Sequence, residues 1–259
     1  MTRLSNTVII IATLLCFAIV VAYAHQEESY KPPLAYHLLT PFYDALVGLT
    51  CREDIFRPAL ISQANVLPEN RVLEVGCGTG SLSLALKMTA PESYLTCFDP
   101  DQESLDRAAS KFESHGYHIN RPGVQSNDDK VVTIVQGFGQ AMPFPDQSFD
   151  CVISSLMFHH LNSTNKLKTL QEMKRVLKPG GKLHIADWGA AYRWYERTLF
   201  LTVQLLDGFE TTADNVEGML PLMMQQAEFL EVSETQRILT PLGILSLYTA
   251  TRPFTSNVY

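Results

Sequence analysis

A chain of 259 residues is long enough to bury one substantial core and to carry one catalytic domain with an extension. Its net charge of −7, with lysines and arginines scattered along the chain, argues against a nucleic-acid partner, because a phosphate-binding face needs a concentrated positive patch. Five cysteines without a C-x-x-C pair speak against a cysteine-built zinc site; Cys77, Cys97 and Cys151 read as small buried hydrophobes rather than disulfide partners.

The first element is an apolar run. Residues 4–24 carry no charge, and as a helix they would be about 31 Å long, enough for a bilayer core. Arg3 precedes the run, and Ala22-Tyr23-Ala24 offers small residues at signal-peptidase spacing. Residues 1–25 are therefore expected to be a single-pass signal anchor that holds the protein at a membrane. A signal peptide cleaved before His25, followed by export, is the alternative. Residues 26–70 are expected to hold a polar linker ending in two prolines and then two helices. The first has Leu38, Leu39, Phe42, Tyr43, Leu46 and Val47 on one face, and the second runs over about 52–65.

A third unit, 71–255, begins with the stretch that organises the chain. Residues 72–80 read V-L-E-V-G-C-G-T-G: a strand, three glycines at G-x-G-x-G spacing, and at once a helical pattern over 81–88. Glycine is required there because the turn leaves the strand sharply and lets a ligand touch bare backbone. Glu74 lies near the carboxyl end of that strand, and Asp99 ends the next apolar run, 94–98, where an acid can accept hydrogen bonds from both hydroxyls of a ribose. A helix to about residue 113 follows, with Leu105, Ala108, Ala109 and Phe112 on its apolar face, and then a polar loop over 115–130. No metal site is expected from His115 and His118 in that loop. Strands are expected at 131–135, 149–154 and 182–186. A helix marked by Leu167, Leu170, Met173, Val176 and Leu177 stops at Pro179-Gly180-Gly181. Beyond Asp187 come an apolar helix over 192–209, a helix near 215–228, and a hairpin turning at Thr240-Pro241-Leu242-Gly243. The fold class is α/β: a Rossmann-like, doubly wound, mostly parallel sheet with a terminal antiparallel hairpin, preceded by the amino-terminal hydrophobic helix.

Spacing alone leaves the nucleotide open. The loop lacks the G-K-[ST] of a P-loop and the G-x-G-x-x-G of dinucleotide enzymes. The motifs L-E-V-G-C-G-T-G, Asp99, A-M-P-F-P-D-Q-S-F-D-C-V-I-S and L-K-P-G-G-K-L together resemble the class I S-adenosylmethionine (SAM)-dependent methyltransferases of the ubiquinone/menaquinone C-methyltransferase superfamily. The resemblance implies SAM as cofactor. It implies that Gly76, Gly78 and Gly80 pass its methionine end along bare backbone, that Glu74 supports the loop, and that Asp99 binds the ribose. Cys77, Pro100, Gly137, Phe138, Gly139 and Ser155 would complete the cofactor site. Where the family reads G-D-A-E after the third strand, this chain has Gly137-Phe138-Gly139-Gln140, so Phe138 can stack on adenine but cannot accept a hydrogen bond from its amino group.

His159, His160, Tyr43 and Asp187 are the candidates for acting on the acceptor. Consecutive residues point apart, so at most one of the two histidines is expected to face the site. The apolar segment around Trp188, Tyr192, Trp194 and Phe200 suggests a small lipophilic acceptor, quinone- or lipid-like. A membrane-tethered SAM-binding protein without turnover is the alternative, and a nicotinamide-dependent reductase is disfavoured by the glycine spacing.

Overall fold

The computed structural model describes residues 50–120 and 128–254. The expected anchor, linker and first helix, Tyr43 included, lie outside the described residues. Among the described residues, no helix is long and apolar enough to cross a membrane.

Eight strands form one sheet: β1 (Arg71–Val75), β2 (Tyr94–Asp99), β3 (His118–Asn120), β4 (Val131–Gln136), β5 (Phe149–Ser155), β6 (Leu177–Trp188), β7 (Leu230–Thr240) and β8 (Gly243–Thr251). Their order is β3-β4-β2-β1-β5-β6-β8-β7. The pairs from β3 to β6 are parallel, and β8 runs antiparallel to both β6 and β7. Alternation divides each central strand between two faces. Val72, Leu95, Cys97, Ile153 and Leu247 pack on one side beneath α1 (Glu53–Ala64), α2 (Ser81–Thr89), α3 (Gln102–Ser114) and α5 (Trp194–Asp207). Leu73, Val75, Val152, Ile185 and Ala250 pack on the other beneath α4 (Ser163–Val176) and α7 (Leu220–Gln226), while α6 (Phe209–Val216) follows α5. A sheet covered on both faces is what the near-continuous apolar strands require.

Several elements differ from the sequence expectation. The polar loop contains the short edge strand β3, whose period-2 signal is only three residues long. Pro179-Gly180-Gly181 does not separate helix from strand. The helix stops at Val176, and the three residues bulge out of β6, whose pairing with β5 shifts between Phe149 and Cys151. The helix expected near 215–228 is shortened to α7 after Gly218, whose φ is +73°, and the short helix α6 before it was not expected. Finally, α1 packs on the sheet through Phe56 and Leu60, and Gln63 donates to the Tyr248 carbonyl at 2.9 Å. Its amino end approaches α5 closely enough that burial and nearby acids, Asp207 among them, push the Cys51 thiol up to about 12.

Candidate active site

Strand order reverses at β1: the chain moves to β2 and β4 on one side and returns to β5 and β6 on the other. Such a switch point leaves a crevice at the carboxyl ends of the strands. Along that edge, from β4 to β6, stand Phe138, Asp99, the glycine loop, the 155–160 segment and Asp187. At about 4.8 Å per strand, the row spans about 19 Å.

The three glycines serve different ends. All have positive φ, +75° at Gly76, +51° at Gly78 and +73° at Gly80. A Cβ on Gly76 would strike the Met157 side chain, and one on Gly80 would lie 2.9 Å from the Ala108 Cβ, so these two let the loop and α2 pack closely. A Cβ on Gly78 would meet, among the described residues and apart from its chain neighbours, no atom within 4 Å. The open face of the loop is therefore at Gly78, and its N–H donates to Asp99 Oδ2 at 2.8 Å. Asp99 Oδ1 accepts the Asp101 N–H at 2.9 Å. Burial, only partly offset by these bonds, lifts the Asp99 carboxyl from 3.8 to about 6. Glu74 does not reach the crevice: it is buried beneath α2, where Ser83 Oγ donates to it, and burial lifts it from 4.5 to about 8. Cys77 is buried in the loop, with its thiol pushed well above the ordinary value by burial and by Cys97.

On the far side of Asp99, Pro100 accepts a hydrogen bond from Gln136 Nε2 at 3.0 Å. Gly137 lets the chain pass the Phe98 ring, since a Cβ there would lie 2.7 Å from it, and Gly139 does the same against Thr169 at 2.8 Å. Phe138, held between them, is 55% exposed at the carboxyl edge. Ser155 ends β5, half-buried and in register with Ala186 of β6.

Beyond Ser155 the chain bends. Leu156 has φ +51°, an uncommon conformation for a bulky residue, and Phe158–His160 close a single 3-10 turn. The rule that consecutive side chains point apart holds for an extended chain, and the turn cancels it: the rings of His159 and His160 lie side by side, with centroids 4.0 Å apart. Asp187 is fully buried and accepts from the N–H groups of Met157 (3.0 Å), Phe158 (2.8 Å) and Trp188 (2.7 Å), from Asn215 Nδ2 (3.1 Å) and from His159 Nδ1 (2.9 Å). Burial alone would raise Asp187, but His159 and these donors hold it below the ordinary carboxylate value. Burial alone would lower His159, yet Asp187 and then Asp207 outweigh it and raise the imidazole. His159 Nε2 faces Asp207 Oδ2 at 3.7 Å, and His160 Nδ1 faces Asp207 Oδ1 at 3.9 Å. Burial and the charge of His159 lower His160 to about 4, although a third of its side chain meets solvent and tempers that depression.

Asp187 thus positions His159 rather than facing the crevice itself. Asp207 and Asn215 escaped the sequence reading because both sit in helices far along the chain. Asp207 carried a signal: it is an acid in the last turn of a helix, where the dipole favours a cation.

Residues 73–185 match the family of methyltransferase domains. The ubiquinone/menaquinone biosynthesis C-methyltransferase of Hahella chejuensis is 33% identical over 129 residues, 49% of this chain and 47% of that protein. Residues 73–185 therefore carry a methyltransferase domain. The enzyme of the same description from Cupriavidus metallidurans is 26% identical over 82% of this chain and 81% of its own. A SAM-dependent methyltransferase from Aquifex aeolicus has the same fold, with a TM-score of 0.54 and 21% identity over 80% of this chain and 92% of that one. The chain spans about half the length of the first of these relatives. Its cofactor is SAM, and the open cradle at Gly78 beside the buried Asp99 carboxylate fits such a nucleoside.

Proposed function

We propose that the protein transfers a methyl group from SAM to a small lipophilic acceptor, quinone- or lipid-like, seated on the His159 side of the crevice. The bound cofactor supplies a methyl group on a cationic sulfur, and the protein's contribution is placement and exclusion of water. Gly78 gives the methionine end room, Asp99 accepts from the ribose hydroxyls, and Phe138 lies against the adenine. His159, oriented by Asp187, takes the proton where the acceptor must release one.

The observation that carries the acceptor class is the surface of α5. Trp194 (81% exposed), Leu201 (39%) and Leu205 (52%) are spaced seven and four residues apart, so they form one apolar stripe; Phe209 (53%), beyond the break at Gly208, is exposed as well. Asp207 lies on the buried face of α5 with Phe200 and Val203, so the stripe points about 120–160° away from it and faces outward, toward a bilayer rather than into the crevice. The description of the Hahella chejuensis and Cupriavidus metallidurans relatives, C-methylation in ubiquinone/menaquinone biosynthesis, is of the same chemical kind. The apolar residues 4–24 would hold the domain at a bilayer from which such a molecule is reached.

The test is label transfer from methyl-labelled SAM into extracted quinones and lipids by the full-length protein in vesicles. Leu205→Ser and Trp194→Ala should each raise the KM for an acceptor held in the vesicle, with SAM affinity unchanged. Efficient methylation of a small charged amine, insensitive to both changes, would refute the acceptor class. Tight SAM binding without label in any acceptor would support the reading of a SAM-binding protein without turnover, which the departure at Phe138 keeps in view.

A further inference from the structure

The two histidines and Asp207 converge in a way that proton transfer does not require. We propose that His159 Nε2, His160 Nδ1 and the Asp207 carboxylate form a binding site for one divalent transition-metal ion of the zinc, cobalt or nickel class. The proposal does not depend on the acceptor being lipophilic; because a coordinated Nε2 cannot also take a proton, it excludes His159 as the base while the ion is bound.

The three ligand atoms lie within 4.8 Å of one another, and they form the only such group among the described residues. Both spans to Asp207, 3.7 and 3.9 Å, are too long for hydrogen bonds. They are only slightly longer than the roughly 3.0–3.4 Å that separates neighbouring ligands around an ion with metal–ligand bonds of about 2.1 Å. A small rotation of the partly exposed Asp207 side chain would close those two spans, and His160, also partly exposed, must draw in toward His159 Nε2 from within 4.8 Å. The direction of His159 is already set. Its Nδ1 is engaged by the buried Asp187 at 2.9 Å, so Nε2 is the atom left to coordinate. A metal-bound histidine backed by a carboxylate is the usual arrangement for fixing ring orientation and raising ligand basicity. Asp187 is in turn fixed by three backbone N–H groups and Asn215, so this support does not depend on a mobile side chain.

Charge points the same way. Asp207 sits at the carboxyl end of α5, where the helix dipole makes a negative side chain unfavourable unless a cation is near. A set of two imidazoles and one carboxylate suits zinc, cobalt or nickel better than magnesium or calcium, which favour all-oxygen shells. With three protein ligands the ion keeps a further position open, and the partly exposed His160 leaves that position on the solvent side. An oxygen or sulfur of an incoming molecule could occupy it.

The experiment uses the full-length protein, dialysed against chelator and then titrated with Co²⁺ while the visible spectrum is recorded. The expected result is saturation at one ion per chain, with the weak d–d bands of a nitrogen- and oxygen-ligated site. Asp207→Asn and His160→Ala alter partly exposed side chains, so the fold should survive, as far-ultraviolet circular dichroism would confirm. Each should weaken Co²⁺ binding at least about tenfold, while Asp99→Ala leaves it unchanged. Lack of saturable binding would overturn the proposal. So would an affinity unmoved by both variants, or intense thiolate-to-cobalt bands, either of which would put the ion elsewhere.

Discussion

Replacing Asp99 by Asn separates what this residue does for the fold from what it does for the cofactor. The rise of the Asp99 carboxyl from 3.8 to about 6 is about 2 units, so keeping it ionised in the folded protein at neutral pH costs about 3 kcal/mol. Asparagine removes that cost, but it has only one acceptor oxygen. Of the two N–H groups now satisfied, Gly78 at 2.8 Å and Asp101 at 2.9 Å, one then faces an amide nitrogen, which costs about 1–3 kcal/mol. The two effects oppose each other, so stability should change by no more than about 2 kcal/mol. SAM binding has no such offset, because the ribose hydroxyls lose a charged acceptor worth about 1.5–3 kcal/mol, roughly a 10- to 150-fold rise in Kd. Calorimetric titration with SAM and S-adenosylhomocysteine, beside thermal unfolding of the same preparations, measures both. A melting temperature near the parent's with Kd within twofold would refute the role of Asp99. The pH dependence has opposite signs for the two properties. The cost of the buried charge is present above about pH 6 and gone below 3.8, so this contribution to stability improves on acidification. SAM affinity should instead fall as the pH drops through about 6.

Gly78→Ala adds a methyl group that touches no atom of the other described residues, so it should cost only about 1–2 kcal/mol of stability, from the positive φ, yet abolish SAM binding in calorimetry. Gly80→Ala, blocked by Ala108, should lower the melting temperature further; equal effects of the two on both properties would contradict the division of labour in the loop. Glu74, with its carboxyl lifted from 4.5 to about 8, keeps its proton in the folded protein while the unfolded chain loses it, so stability should decline as the pH rises from about 4.5 to 8. Denaturant titrations at pH 5 and pH 8 should show a smaller decline in Glu74→Gln, and matching declines would show that Glu74 ionises normally. Phe138→Asp, at a 55% exposed position, should leave the fold intact and keep or raise SAM affinity by supplying an acceptor for the adenine amino group. A fall in affinity would show that ring stacking there outweighs the hydrogen bond.

The glycine loop, Asp99 and the succession of strands and helices along the chain were legible in the sequence because each is a local feature. A strand, a positive-φ turn, a helix and an acid at a strand end are set by residues within a few positions of one another, and the apolar runs then require a parallel sheet. Distinctions among the three glycines were not legible, because whether a Cβ meets Met157, Ala108 or open space depends on chain far from the loop. Strand β3 was hidden for a different reason: three residues at a sheet edge carry too little periodicity to stand out from a polar loop. The histidines were visible as candidates, but the sequence rule that turned them apart assumed an extended chain, and the left-handed Leu156 followed by a 3-10 turn puts both rings on one side. Asp187 looked like a crevice residue and proved to be the buried anchor of His159, because five donors from three parts of the chain converge on it. Asp207 is separated from His159 by 48 positions, and only the packing of α5 against the β5 turn brings its carboxylate to 3.7 Å from the ring. Local propensity and patterning determine elements and their order; the meeting of side chains from distant elements is decided by how those elements pack.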